Sequence, residues 1–330
     1  MTFEEMVFNP RPRFLVTTNI RQRIRAAAQP ALVRKWLRKW LWPSSMRHMR
    51  YVLPEVGFEA IAGGTWEVFL RGKNTWKFVA TPLVELRGST SLPSLIVATG
   101  PSAKGLDWSE MANEKHLIWA VNGAPMVLAK HGLRCDFLVV SDHRFSREGA
   151  DHITLAVDQG ATLLFSHEAA AGFAVTRPEV LARARFHMFE KANSWYGLPA
   201  LGPAELLAAN EKSGRPFFLP DPPVPGVGWS HDPMVGVFAG KTVTFAALQL
   251  AVWAGSQTIK VIGMDLGGAE RAYHEDQPAV SHLEKDYRQF ILPSFECMAA
   301  ALAGSPLRIV NHSPTCPLPK ELFNRRLPVS

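Results

Sequence analysis

The chain is poor in cysteine. Cys135, Cys297 and Cys316 are the three among 330 residues, odd in number and far apart. Such spacing supplies neither a metal motif nor a disulfide framework, and a reducing cytoplasm fits it best. There is no run of about eighteen apolar residues, so no transmembrane helix is expected. The opening decapeptide MTFEEMVFNP is acidic and lacks an apolar core, which argues against a secretory signal. Acidic residues are absent from positions 11–50, where eleven Lys and Arg stand. What remains is ordinary for a folded domain: 47% hydrophobic and 20% charged residues.

The formal charge of +7 is therefore concentrated in one arm, and the rest of the chain is close to neutral. That arm contains the run RKWLRKWLWP, with Trp36, Trp40 and Trp42 interleaved among the cations. Helical stretches are expected around Ile20–Ala28 and Ala31–Leu41, the second bounded by Pro30 and Pro43. Basic residues alternating with tryptophan suit an anionic membrane surface, each cation contributing about 1 kcal/mol near it. A solvated helix docked on its own domain is the plain alternative. Nucleic acid would attract the same charges but is not expected as a partner.

Residues 51–92 carry two strand-like runs, Thr65–Leu70 and Thr75–Val79, around the turn Arg71-Gly72-Lys73-Asn74, which reads as a hairpin. From residue 93 the pattern changes to alternating strands and helices. Candidate strands are Leu95–Thr99, Leu117–Val121, Phe137–Val140, Thr162–Phe165, Thr258–Ile262 and Leu307–Val310. Most are short and apolar without alternation, as in strands covered on both faces. The expected fold is α/β: a Rossmann-like, mostly parallel sheet with helices on both faces, right-handed crossovers, a basic helical arm and a small hairpin. Residues 191–235 interrupt this domain with eight prolines. PFFLPDPPVPGVGW is read as neither sheet nor helix, and the segment as a lid or binding loop.

The most informative stretch is Gly240 to Gly268. Thr242–Ala254 is apolar nearly all round, so this helix should be buried. Gly255 stops it, and Asp265 falls at the carboxyl end of the next strand, where open α/β sheets bind ligands. The first strand ends in LIVATGPSAKG, with Gly100, Pro101 and Ser102 in the turn. This is neither G-x-G-x-x-G nor a P-loop, yet exposed amides at such a turn suit an anion. Strand two places Asn122 at the same edge, and strand three Ser141, Asp142 and His143. Each alone is equally served by turn chemistry; together with Thr99 and Asp265 they mark one edge as a site.

Ser281 and Glu284 form a capping box that sets His282 at the first helical position, where the helix dipole favours neutral imidazole. A neutral imidazole there is suited to act as general base. Leu283, Tyr287, Phe290, Phe295 and Met298 form the buried stripe, and Pro293 should kink the helix. Arg271, Tyr273 and His274 lie in the polar loop after Asp265, and Asn311, His312 and Ser313 follow the last strand.

GPS after the first strand, VNG after the second, a polar end to the third and TxTFAALQLA…IKVIGMDL resemble the WaaZ-type lipopolysaccharide core proteins. The likeness continues through Arg271, Tyr273, LEKDYRQFILPSF and NHSPT, over roughly residues 94–318. It is similar more distantly to the single-domain bacterial sialyltransferases. The resemblance implies transfer of 3-deoxy-manno-octulosonic acid (Kdo), or a related ulosonic acid, from a CMP donor to a lipid-linked lipopolysaccharide acceptor. It implies an inverting reaction without metal or further cofactor, at the inner face of the cytoplasmic membrane.

Carried onto this chain, the donor site comprises Thr99, Gly100, Pro101, Ser102, Asn122, Asp142, Thr242, Thr244, Asp265 and Ser313. Lys241 or Arg271 would hold the sugar carboxylate, Tyr273 the leaving phosphate, and His282 or His274 would act as base. Two other readings stay open: a pterin pyrophosphokinase-like enzyme of the same core fold, needing Mg²⁺ and ATP, and a non-catalytic membrane-associated assembly protein.

Overall fold

The computed structural model describes residues 43–53, 55–61, 64–72, 75–267, 270–273 and 283–323. The predicted helices of the basic arm, Lys73 and Asn74 of the hairpin turn, and His274, Ser281 and His282 lie outside the described residues.

Three antiparallel strands come first: β1 (Val56–Ile61), β2 (Thr65–Leu70) and β3 (Trp76–Val79). The expected hairpin is the second half of this sheet. β1 was not anticipated, because VGFEAI has glycine at its second position and carries a glutamate.

The main sheet contains β4 (Ser94–Val97), β5 (Leu117–Val121), β6 (Phe137–Val140), β7 (Thr162–Ser166) and β8 (Phe186–Phe189). After a two-residue ladder, β9 (Phe217–Phe218) with β10 (Trp229–Ser230), it is completed by β11 (Thr258–Ile262) and β12 (Arg308–Asn311). Its order is β12-β11-β4-β5-β6-β7-β8, and every pairing is parallel. This is the Rossmann-like α/β architecture the alternating pattern implied. Strand order reverses between β4 and β11, and that switch point is where such sheets take ligands.

The β4 residues Ser94–Val97 are all buried, and their alternation divides the core. Leu95 and Val97 face the helices α1 (Ala124–Lys130), α2 (Ala150–Asp158) and α3 (His167–Thr176). The three-stranded sheet packs into this same face through Val56, Val68 and Phe78. Ile96 and Ala98 face the other layer, where α5 (Val243–Trp253) and α6 (Leu292–Ala301) pack, with α4 (Pro203–Lys212) at its margin.

Two corrections concern residues 191–235. This stretch contains the ten-residue helix α4, because Pro203 occupies its first turn, where a missing N–H costs nothing, and AELLAANEK propagates well. It also contains β9 and β10, so part of PFFLPDPPVPGVGW is in a sheet after all. What holds the excursion down is Gln249 of α5, 1% exposed. Its Oε1 accepts the N–H groups of Ser230 and Phe238, both at 3.1 Å. Its Nε2 donates to the carbonyls of Phe238 (2.7 Å) and Phe245 (3.0 Å).

Gln249→Leu, similar in volume, strands two buried donors. Since each unpaired buried group costs about 1–3 kcal/mol, stability should fall by roughly 3 kcal/mol in urea denaturation with the slope unchanged. A midpoint equal to wild type would show that the clamp contributes nothing.

Candidate active site at the carboxyl edge of the sheet

The site is built from the turns that leave β4, β5 and β11. Past β4, the N–H of Gly100 donates to Gly263 O at 2.8 Å, drawing the two chains together. A Cβ on Gly100 would stand 2.0 Å from Asp265 Oδ2 and 2.5 Å from Gly263 O, so only glycine fits. Ser102 then donates both its N–H and its hydroxyl to Asp265 Oδ2, each at 2.9 Å. The Thr315 hydroxyl donates to Asp265 Oδ1. Asp265 is buried, and its carboxylate joins three segments. Ser313 works beside it, its Oγ accepting the N–H of Met264 at 2.8 Å.

These contacts revise the anion-site expectation for the Gly-Pro-Ser turn. Pro101–Gly105 is a five-residue 3₁₀ turn rather than an α-helix start, and the Ser102 amide is already committed to Asp265. Thr99 presents its carbonyl to the N–H of Ala272 at 2.9 Å. The segment 270–273 thus straps across the edge, held also by Lys104 to Glu270 at 2.6 Å. Tyr273 is buried at its end. A Cβ on Gly123 would lie 2.5 Å from the Tyr273 ring, and the ring meets His152 edge-on at 5.0 Å. Arg271 between them is half-buried and forms no ion pair with the described residues.

Beneath this strap lies Asn122, in the left-handed region at φ 49°. Asparagine tolerates that conformation better than most residues. Its Oδ1 is buried and has no hydrogen-bond partner among the described residues. A buried, unpaired amide oxygen is costly to leave unmade.

The other predicted residues are more scattered. Asp142 is exposed and caps its own turn, Oδ1 accepting the Arg144 N–H at 2.8 Å. His143, 3.4 Å from the same oxygen, stacks on Tyr51, and burial lowers its pKa. Because α5 leads directly into β11, its N-terminus reaches the carboxyl edge. Thr242 is its cap residue, without a side-chain cap bond, and Thr244 is buried in the first turn. Lys241 stands at φ 57°, with Nζ 4.8 Å over the Phe290 ring and 4.0 Å from Asp286. His274 and His282, the two base candidates, lie outside the described residues.

One polar cluster at this edge escaped the sequence reading. His167 follows β7 directly and Glu190 follows β8, and Nδ1 of the former lies 3.4 Å from Oε2 of the latter. The imidazole stacks on Tyr196 at 4.9 Å with Trp66 edge-on at 4.5 Å. Its Nε2 is buried without a partner among the described residues, beside a cavity of about 20 Å³, room for one water. A histidine directly after a strand was the available signal. It had no meaning until β8 was known to lie alongside.

No protein-family model matches the chain, and no curated protein matches it. Among solved structures it is similar to the MAf glycosyltransferase from Magnetospirillum magneticum AMB-1 at 18% identity and TM-score 0.42. That match covers 70% of this chain and 33% of the other, so the chain spans a third of that protein's length. It is also similar to the sialyltransferase CstII from Campylobacter jejuni in complex with the substrate analogue CMP-3FNeuAc. Identity there is 14%, TM-score 0.38, and coverage 71% of this chain and 89% of that one. For the monofunctional α-2,3-sialyltransferase Cst-I from Campylobacter jejuni the values are 12%, 0.36, 72% and 83%. Likenesses at these levels carry no argument about chemistry, which rests on the geometry above.

Gly100→Ala should destabilise the protein by about 2–4 kcal/mol, since the methyl must displace a buried carboxylate that three donors hold. Asp265→Ala should cost a similar amount, and the double variant less than the sum because the two act on one contact. Thermal and urea denaturation of the three variants would check this; simple additivity would refute the shared contact.

Proposed function

We propose that this protein is a glycosyltransferase that uses a CMP-activated ulosonic acid, Kdo or a relative, and transfers it to a lipid-linked glycan. The observation that carries the reading is the Oδ1 of Asn122, buried at the carboxyl edge on a left-handed turn by the Tyr273 strap and without a partner among the described residues. A cytosine amino group is the kind of donor such an oxygen accepts. The VNG and TxTFAALQLA motifs support the same donor, and Asn122 belongs to the first of them.

CMP is a good leaving group, so the reaction needs donors around its phosphate, a cation for the sugar carboxylate and a base for the acceptor hydroxyl. Tyr273 and Arg271 border the strap and are assigned the first two tasks. His282 is assigned the third, with His274 in reserve. His167 is a rival base, since the Glu190 carboxylate lies 3.4 Å from its Nδ1, where an orienting group belongs. It lies two strands beyond β5, roughly 10 Å at the usual spacing, which the length of a sugar nucleotide can span. Attachment of residues 11–50 to anionic lipid would bring the acceptor within reach.

Calorimetry with CMP tests the donor assignment. Wild type should bind, and Asn122→Ala should weaken binding about ten-fold or more, as loss of a buried hydrogen bond does. CDP, UDP, ADP and GDP should bind less well. Unchanged CMP affinity in Asn122→Ala would remove the assignment, and preference for ATP with Mg²⁺ would favour a pyrophosphokinase. With a CMP donor in hand, His282→Ala should lose about 10²–10⁴-fold in the chemical step while keeping donor affinity. Should His167→Ala show that loss and His282→Ala not, the base is His167.

A further inference from the structure

On the β11 side of Asp265 a second cleft opens, whose lining shares only Asp265 with the donor residues. It encloses about 510 Å³, inside the ~300–1,000 Å³ typical of small-molecule sites. It lies beside the switch point between β4 and β11, at the carboxyl end of the strand. It is lined by Asp265 to Gly267 after β11, by Lys285, Tyr287 and Arg288, and by Thr315 and Pro317.

The chemistry of this lining is one-sided. Asp265 is its acid, and both oxygens are already taken by Ser102 and Thr315. The Thr315 hydroxyl is thereby spent. The Tyr287 hydroxyl is spent too, donating to Pro317 O at 2.8 Å. Lys285 and Arg288, three residues apart and both exposed, form no ion pair with the described residues. The side-chain donors left for a ligand are thus an ammonium and a guanidinium, and the guanidinium fork matches a carboxylate or phosphate. A neutral sugar finds little here to bind.

The backbone supplies an independent sign. Tyr287–Ile291 forms a π-turn just before Pro293, inside what would otherwise be continuous helix into α6. Such turns are rare and concentrate at functional sites, because the inserted residue re-aims its neighbours.

We propose that this cleft binds an anionic saccharide, a sugar bearing a carboxylate or a phosphate, as the second substrate beside the nucleotide donor. Its role as second substrate rests on the donor reading; its preference for an anion does not. Asp265 is the partition, Oδ2 bonded to the Ser102 turn and Oδ1 to Thr315 of the cleft lining.

Glucuronate, glucose 6-phosphate and glucose serve as probes in NMR titrations of wild type and of the Lys285→Gln/Arg288→Gln double variant. Both residues are exposed, so the variant should keep its melting temperature and its CMP affinity. Wild type should bind at least one anionic probe in the millimolar range, more weakly as salt rises, and glucose at least ten-fold more weakly. The double variant should lose ten-fold or more toward that anion. Glucuronate alone binding would identify a carboxylate ligand, and glucose 6-phosphate alone a phosphate. Failure of both anions to bind wild type, equal binding of glucose, or an unaffected double variant would overturn the proposal. Should CMP fail to bind wild type while the anions behave as stated, the donor reading falls and the anion cleft stands.

Discussion

A buried carboxylate at the switch point of a parallel sheet organises this protein. Asp265 would be expensive to remove from water alone, and it is tolerated because one backbone N–H and two hydroxyls point at it from both sides. Those donors come from Ser102, 163 positions away in sequence, and Thr315, 50 positions away. The arrangement requires that position 100 carry no side chain, since a methyl there would occupy the place of Oδ2. Once the contact forms, the turn after β4 is fixed. Thr99 can then take the N–H of Ala272, and Tyr273 comes to rest on Gly123.

The same contact separates two chemistries. On the β4–β5 side, the strap and Asn122 form a shielded place with an acceptor oxygen that has no donor among the described residues. On the β11 side, the occupied carboxylate leaves Lys285 and Arg288 to set the charge. Asp265 keeps its charge, but its oxygens are engaged by the Ser102 and Thr315 donors, and Lys285 and Arg288 outnumber it in the lining.

The remaining architecture supports the edge by covering the faces. α5 is apolar all round because it packs under the sheet and also receives the excursion 191–235, with Gln249 satisfying the backbone that crosses it. The three-stranded sheet covers the opposite face and, with Tyr196, encloses His167 in aromatic rings. His167 and Glu190 stand side by side because β7 and β8 are neighbours, and for no local reason.

Much of the fold was legible without coordinates. β5, β6 and β11 were bounded correctly from short apolar runs, since a strand buried on both faces leaves a continuous hydrophobic signature. β8 was missed because FHMF is four residues long and contains a histidine, whose Nδ1 is satisfied by the carbonyls of Thr81 and Pro82, about a hundred positions away. α4 was missed because prolines were counted rather than placed; Pro203 begins a helix as readily as another proline ends one. The sequence by itself determined the α/β class and the edge at which polar residues gather. Only the tertiary structure decided that Asp265 and Ser102 are committed to each other, that Asn122 Oδ1 is buried without a partner among the described residues, and that Lys285 and Arg288 face a cleft. The reason is physical: a polar side chain's role follows from its partners, and these partners lie 50 to more than 160 residues away.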